Sequence, residues 1–217
     1  MKIVDAWLVP VQEGAGDDSN LLGMLGPDDR AKISRLGESE DRDRAVTARV
    51  AARIELGRRL GLTPGAVRLR DEGPPAVEAA DLSVSWSHSG TWIALAICEG
   101  RSVGVDIERE PKRLDMQALK EIGVTSLEEF VRLEAATKAT HCAFGGSWPP
   151  GVLVRRLAAP PGYVAAVAAP GDDWTFELHM RCPLEALRER TVETMRSFGG
   201  LCYAPLLPLP SLQGWFA

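Results

Sequence analysis

Apolar and polar positions alternate or cluster along this chain in ways that mark out most of its elements. Residues 1–11 (MKIVDAWLVPV) form a mostly apolar run that reads as an opening strand, ended by the polar, glycine-containing segment 13–20. Pro27-Asp28-Asp29 is a helix start, with proline in the first turn and acids behind it, and the helix is expected to reach Leu36. A longer helix is expected over 43–60, because Val46, Val50, Ile54 and Gly57 recur at helical spacing and Gly61 with Pro64 stops it.

Leu82, Val84 and Trp86 then alternate with Ser83, Ser85 and Ser87, the period-two pattern of a half-buried strand. Ser87-His88-Ser89-Gly90 reads as a turn. Residues 92–98 are almost wholly apolar, as in a central strand, and Glu99-Gly100-Arg101 turns the chain into a third strand over 103–108. The three strands are expected to form a meander. Helical patterns follow at 114–119 and 127–140, then a Gly- and Pro-rich loop at 145–151 and short strands at 152–157, 163–168 and 174–178. A last helical pattern covers 183–198, before a Pro- and Leu-rich tail. The division expected is an N-terminal lobe over 1–102 and a C-terminal lobe over 103–217, with 179–217 a tail of unassigned role.

Composition narrows the function without naming it. The chain has 217 residues, 45% hydrophobic and 25% charged, ordinary for a globular protein. A net charge of −5 argues against general nucleic-acid binding, which needs a positive field. Arginines nevertheless crowd into residues 42–70, so a local anion site remains open. The four cysteines (Cys98, Cys142, Cys182 and Cys202) show no CxxC pair and read as reduced thiols. No stretch approaches the ~20 apolar residues that span a bilayer, and the short N-terminal run, interrupted by Asp5, does not read as a signal peptide. A cytoplasmic monomer is the expectation.

Three clusters carry chemistry. In Val103-Gly104-Val105-Asp106-Ile107-Glu108, a strand would turn the two acids and Gly104 to one face. Neighbouring carboxylates repel unless a cation or arginine lies between them, and a few carboxylates with water and phosphate suit Mg²⁺; a hydrated strand end is the plain alternative. Glu134 and Lys138 stand four apart on one helix face, which by itself is a common surface ion pair. His88, between Ser87 and Ser89 and ahead of Gly90, offers a ring nitrogen and backbone N–H groups to a phosphate, or is an ordinary turn histidine. A serine-hydrolase reading fails, because strand neighbours point apart and no GxSxG elbow is present.

Taken in order, Ser83-Val84-Ser85-Trp86-Ser87-His88-Ser89-Gly90, Gly104-Val105-Asp106-Ile107-Glu108, and Glu134-Ala135 with Lys138 resemble the signature of Sfp-type 4'-phosphopantetheinyl transferases. That signature runs S-H-S, G-x-D-x-E and W-x-x-K-E-A-x-x-K. The resemblance spans about residues 1–178, with support from Met1-Lys2-Ile3, from Glu40-Asp41 with Arg44, and from Gly162-Tyr163-Val164-Ala165-Ala166-Val167.

The resemblance implies an α/β (α+β) fold of two similar lobes related by pseudo-twofold symmetry, with the active site in the cleft between them. It implies transfer of the 4'-phosphopantetheine arm of coenzyme A to a serine of an acyl or peptidyl carrier protein, with release of 3',5'-ADP. Asp106, Glu108 and Glu134 match the metal-binding acids, for Mg²⁺ or Mn²⁺. Lys138 matches the lysine near the reacting phosphate, and Glu134 is also the expected base. Ser87 and His88 match residues at the 3'-phosphate end of coenzyme A, Arg44 matches a nucleotide-binding arginine, and Lys32 is a looser match to a basic contact. The broad-range members of the family usually serve secondary metabolism, making polyketides and nonribosomal peptides.

Departures are specific: Phe130 stands for the motif tryptophan, Leu133 for its first lysine, Pro74 for the lysine of G-K-P, and Asp29 near an expected basic position. A coenzyme-A-binding pseudoenzyme and a metal-dependent phosphohydrolase are the alternatives.

Overall fold

The computed structural model describes residues 1–69, 77, 81–110, 116–121, 123–141, 148–179 and 184. Gly73-Pro74, residues 145–147 of the 145–151 loop, the 183–198 helix apart from Leu184, and Cys142, Cys182 and Cys202 lie outside the described residues.

The elements run β1 (Lys2–Pro10), α1 (Ser19–Gly23), α2 (Pro27–Ile33), α3 (Ser39–Leu60), β2 (Leu82–Ser89), β3 (Trp92–Glu99), β4 (Gly104–Arg109), α4 (Met116–Glu121), α5 (Leu127–Thr140), β5 (Val152–Leu157), β6 (Tyr163–Pro170) and β7 (Trp174–His179). Pro27 opens α2 in the first turn, where its missing N–H costs nothing, and Gly61 closes α3 in the left-handed conformation. The Ser126 hydroxyl caps α5 by accepting from Glu129 N.

Among the described residues the strands form two sheets, ordered β2-β3-β1-β7 and β4-β6-β5. The architecture is therefore mixed α+β. β1 runs antiparallel to β3 and parallel to β7, with Asp5 opposite Glu177 and Trp7 opposite His179.

Alternation of side chains places one apolar layer on each face of each sheet. Trp7, Val9, Ile93 and Leu95 pack against Val46, Val50 and Leu56 of α3. Val4, Ala6, Leu8, Ala94 and Ala96 meet Val103, Val105, Ile107 and Val167 between the two sheets. Val131, Ala135, Ala136 and Ala139 of α5 cover the outer face of the second sheet at Val164, Ala166 and Ala168. The order is helix, sheet, sheet, helix. Small β6 residues keep the last two layers close.

Two expectations change. The 103–108 strand does not continue a meander: β2 and β3 make a hairpin, but β4 pairs with β6, Gly104 opposite Ala168 through Arg109 opposite Tyr163. The 174–178 strand, expected in the second lobe, joins the first sheet beside β1. In addition, β2 stays extended through Ser89, so the turn falls at Gly90-Thr91 rather than at Ser87–Gly90.

β2 and β4 nevertheless lie side by side. Ser83 Oγ accepts from Val103 N at 3.1 Å, Ser85 Oγ from Val105 N at 3.1 Å, and Ser89 Oγ from Arg109 N at 3.0 Å. Every second residue of β2 is a serine, and three of their hydroxyls take backbone N–H groups on the free edge of β4. These groups would otherwise need water or another strand. A seam of hydroxyls thus joins the two sheets where a ladder of backbone bonds does not.

Candidate active site

The seam delivers two acids to one place. Strand alternation buries Val103, Val105 and Ile107 between the sheets, so Gly104, Asp106 and Glu108 turn toward α5. A Cβ at Gly104 would collide with Ala135 O, Ala139 N at 2.5 Å and Lys138 Cβ at 2.9 Å. The missing side chain at 104 lets α5 lie against the β4 backbone, and that contact brings Glu134 and Lys138 to the strand acids.

Asp106 is 2% exposed. Its Oδ1 accepts from Lys138 Nζ at 2.6 Å and from Ser87 Oγ at 2.7 Å, while its Oδ2 is buried with no hydrogen-bond partner. Glu108 Oε2 accepts from Ser89 Oγ at 2.7 Å. Glu134 Oε2 lies 3.9 Å from Lys138 Nζ.

Burial pushes the pKa of all three acids up. Lys138 opposes the shift at Asp106 and at Glu134, and the Ser89 hydrogen bond opposes it at Glu108. The Asp106 charge raises both glutamates further. When all are ionised, three carboxylates with one ammonium leave two negative charges to be met. An all-oxygen donor set and one buried oxygen without a partner suit Mg²⁺ or Mn²⁺ in chemistry, although, unlike Asp5, Glu177 and His179, the three carboxylates do not bring one oxygen each within 4.8 Å of one another.

The remaining expected residues lie on other elements. Arg44, on α3, donates to Asp41 Oδ1 at 2.7 Å and to the Gly90 carbonyl at 3.2 Å, tying the helix to the β2–β3 turn. His88 is exposed on β2; crowding by neighbouring atoms, then the Arg44 charge, lowers its imidazole pKa. The Ser87 hydroxyl is committed to Asp106. Lys32 is exposed on α2.

Most of the arginine-rich face of α3 serves internal pairing. Asp29 holds Arg49 at 3.1 Å and Arg53 at 2.7 Å, Glu55 holds Arg58, and Asp5 holds Arg59. Asp29, near a position where a base was expected, is thus an ion-pair anchor. Leu133 is explained by its direction: it is buried with Leu119 and Val124 beside Phe130, where a lysine would lose its hydration.

Sequence reasoning missed Ser89 and Tyr163. The Tyr163 hydroxyl accepts from Thr91 N at 3.1 Å and meets the place where a Gly90 side chain would be, so β6 grips the β2–β3 turn. The signal for Ser89 was the unbroken alternation of serine from 83 to 89, but Ser89 was read as part of a turn and of the S-H-S motif rather than as a strand residue.

A second group, Asp5, Glu177 and His179, has three possible ligand atoms mutually within 4.8 Å. Asp5 there already accepts from Arg59 at 2.5 Å and lies 2.7 Å from His179 Nε2, so a cation would have to compete with a guanidinium.

No helix among the described residues is long and apolar enough to cross a membrane. No family model matches the chain. It is 28% identical over 122 residues to the 4'-phosphopantetheinyl transferase HetI of Nostoc sp., a stretch covering 54% of this chain and 52% of that protein. The chain thus spans about half the length of the curated relative it matches.

Proposed function

We propose that this chain transfers the 4'-phosphopantetheine arm of coenzyme A to a serine of an acyl or peptidyl carrier protein, releasing 3',5'-ADP. The observation that carries the reading is Lys138 of α5 set beside Asp106 of β4 and Glu134 of its own helix, with Asp106 Oδ2 buried and unpartnered and Glu108 on the same face of β4 as Asp106. The similarity to a phosphopantetheinyl transferase over half the chain supports it.

Asp106, Glu108 and Glu134 are the residues that would hold Mg²⁺, or Mn²⁺ in its place. The bound ion would polarise the coenzyme A pyrophosphate and offset charge on its oxygens. Glu134 is the base. Burial raises its proton affinity, and it takes the proton of the carrier serine as that oxygen bonds to the phosphorus bearing the pantetheine arm. The bond from this phosphorus to the bridging oxygen breaks, and the oxygen leaves with 3',5'-ADP. Lys138, oriented by Asp106, donates hydrogen bonds to the phosphoryl oxygens as their charge grows.

Arg44, Lys32, Ser87 and His88 are assigned to the nucleotide end. The same reading carries a cleft between two similar lobes, a cytoplasmic monomer, and service to polyketide or nonribosomal-peptide synthesis.

The test is mass spectrometry of several apo-carrier proteins incubated with the protein, coenzyme A and Mg²⁺. A carrier that gains the mass of one arm supports the reading. Coenzyme A bound with no carrier modified would make this a binding protein, and coenzyme A cleaved without a carrier would make it a phosphohydrolase.

A further inference from the structure

The four alternate serines of β2 share one seam but face different partners. Ser83 and Ser85 accept the backbone N–H groups of Val103 and Val105. Ser87 and Ser89 reach carboxylates, Oδ1 of Asp106 and Oε2 of Glu108, each at 2.7 Å. A serine hydroxyl has one proton. At Ser89 the Arg109 N–H fills an acceptor position at 3.0 Å, which leaves that proton for Glu108. At Asp106 the Ser87 and Lys138 donors both use Oδ1, which leaves Oδ2 buried and bare.

We propose that Ser87 and Ser89 are positioning residues for the cation site, each holding a carboxylate by one oxygen so that its other oxygen is kept for the ion. This rests on the proposed function above, and it gives Ser87 a duty toward Asp106 that the family resemblance does not assign. Ser89 is the cleaner case, because a single hydroxyl joins the β4 backbone to the Glu108 side chain and fixes the carboxylate relative to its own strand. Hydrogen-bond partners of metal ligands set ligand orientation, and their loss costs about 10–100-fold in metal affinity.

The experiment compares Mn²⁺ affinity, read from loss of the free-ion electron paramagnetic resonance signal, across wild type, Ser89→Ala, Ser89→Thr, Ser85→Ala and Glu108→Gln. Thermal midpoints and arm transfer are measured alongside. Ser89→Ala is expected to weaken Mn²⁺ by about ten-fold or more, and Ser89→Thr to retain affinity through its hydroxyl. Ser85→Ala is expected to lower the thermal midpoint with Mn²⁺ affinity unchanged, because its hydroxyl serves only the backbone side of the seam. If Ser89→Ala does not fold, Ser89→Cys, a weak donor of similar size, takes its place.

Wild-type Mn²⁺ affinity in Ser89→Ala, with affinity lost in Glu108→Gln, would overturn the positioning role and leave the proposed function standing. Equal weakening by Ser85→Ala and Ser89→Ala would also overturn it, since seam stiffness alone would then account for the effect. No Mn²⁺ binding by wild type would bring down both.

Discussion

Lys138 Nζ lies 2.6 Å from Asp106 Oδ1 and 3.9 Å from Glu134 Oε2, so a single ammonium answers a carboxylate on a strand and another on a helix. Replacing Lys138 with Met leaves Asp106 buried without the ammonium that lowers its pKa, so its already raised pKa rises further. The lysine side chain is one-third exposed, which screens the pair, so the expected loss is about 1–3 kcal/mol at neutral pH in chelator, by urea denaturation. The pair stabilises while Asp106 is ionised. The deficit therefore shrinks as pH falls through the raised pKa of Asp106.

Glu134→Gln keeps the shape of the helix face and removes the proposed base. Arm transfer is expected to fall by at least about 100-fold. Calorimetry should show a thermal midpoint no lower than that of wild type, because the substitution removes one of three crowded negative charges. Near-normal transfer would end the assignment of Glu134.

Glu108 has a pKa raised by burial, so in chelator the native state holds its proton to higher pH than the unfolded chain does. The linkage sign follows: stability contributed by this group falls as pH rises from the ordinary carboxylate range through the raised value. Glu108→Gln, neutral throughout, is expected to be more stable than wild type at pH 7, and the difference should vanish toward acid pH. A difference that grew with falling pH would reverse the sign.

Gly104→Ala tests the contact of α5 with β4. The new methyl meets the backbone at Ala135 and Ala139, which cannot rotate away. Overpacking of this kind costs about 1–3 kcal/mol. Because the displaced helix carries Glu134 and Lys138, Mn²⁺ affinity and transfer should fall with stability, as chelator-controlled urea curves and Mn²⁺ titration would show.

Asp29→Ala strands Arg53, whose side chain is 5% exposed and, among the described residues, otherwise bonded to the carbonyls of Pro64 and Val67. Breaking a buried pair from one side costs about 3–5 kcal/mol. Asp29→Lys should be worse, with two arginines facing a like charge. Urea denaturation ranks the two.

What could be read from the sequence was local. Periodicity marked α3 and α5, and strand alternation separated Val103, Val105 and Ile107 from Asp106 and Glu108, which fixed the faces of both site elements. Long-range pairing was hidden. A short turn at 99–101 made β4 look like the third strand of a meander, because nothing in residues 103–109 names β6 as its partner. Alternation put Gly104 on the face of the two acids, but nothing local named α5 as what lies against it. The serines of β2 had the pattern of any half-buried strand, since a hydroxyl that binds water and one that binds a neighbouring backbone are the same letter. The arginines of α3 looked available because their carboxylates, Asp5 and Asp29, lie far away in the chain.

The parallel pairing of β1 with β7 sets a schedule for synthesis. Lys2 to Trp7 take their partners from Trp174 to His179, so this side of β1 stays open until the ribosome has added some 170 residues more. At ~5–20 residues per second the wait is roughly ten to thirty seconds. Throughout it, a strand rich in Val, Trp and Leu offers a bare edge to any other nascent chain.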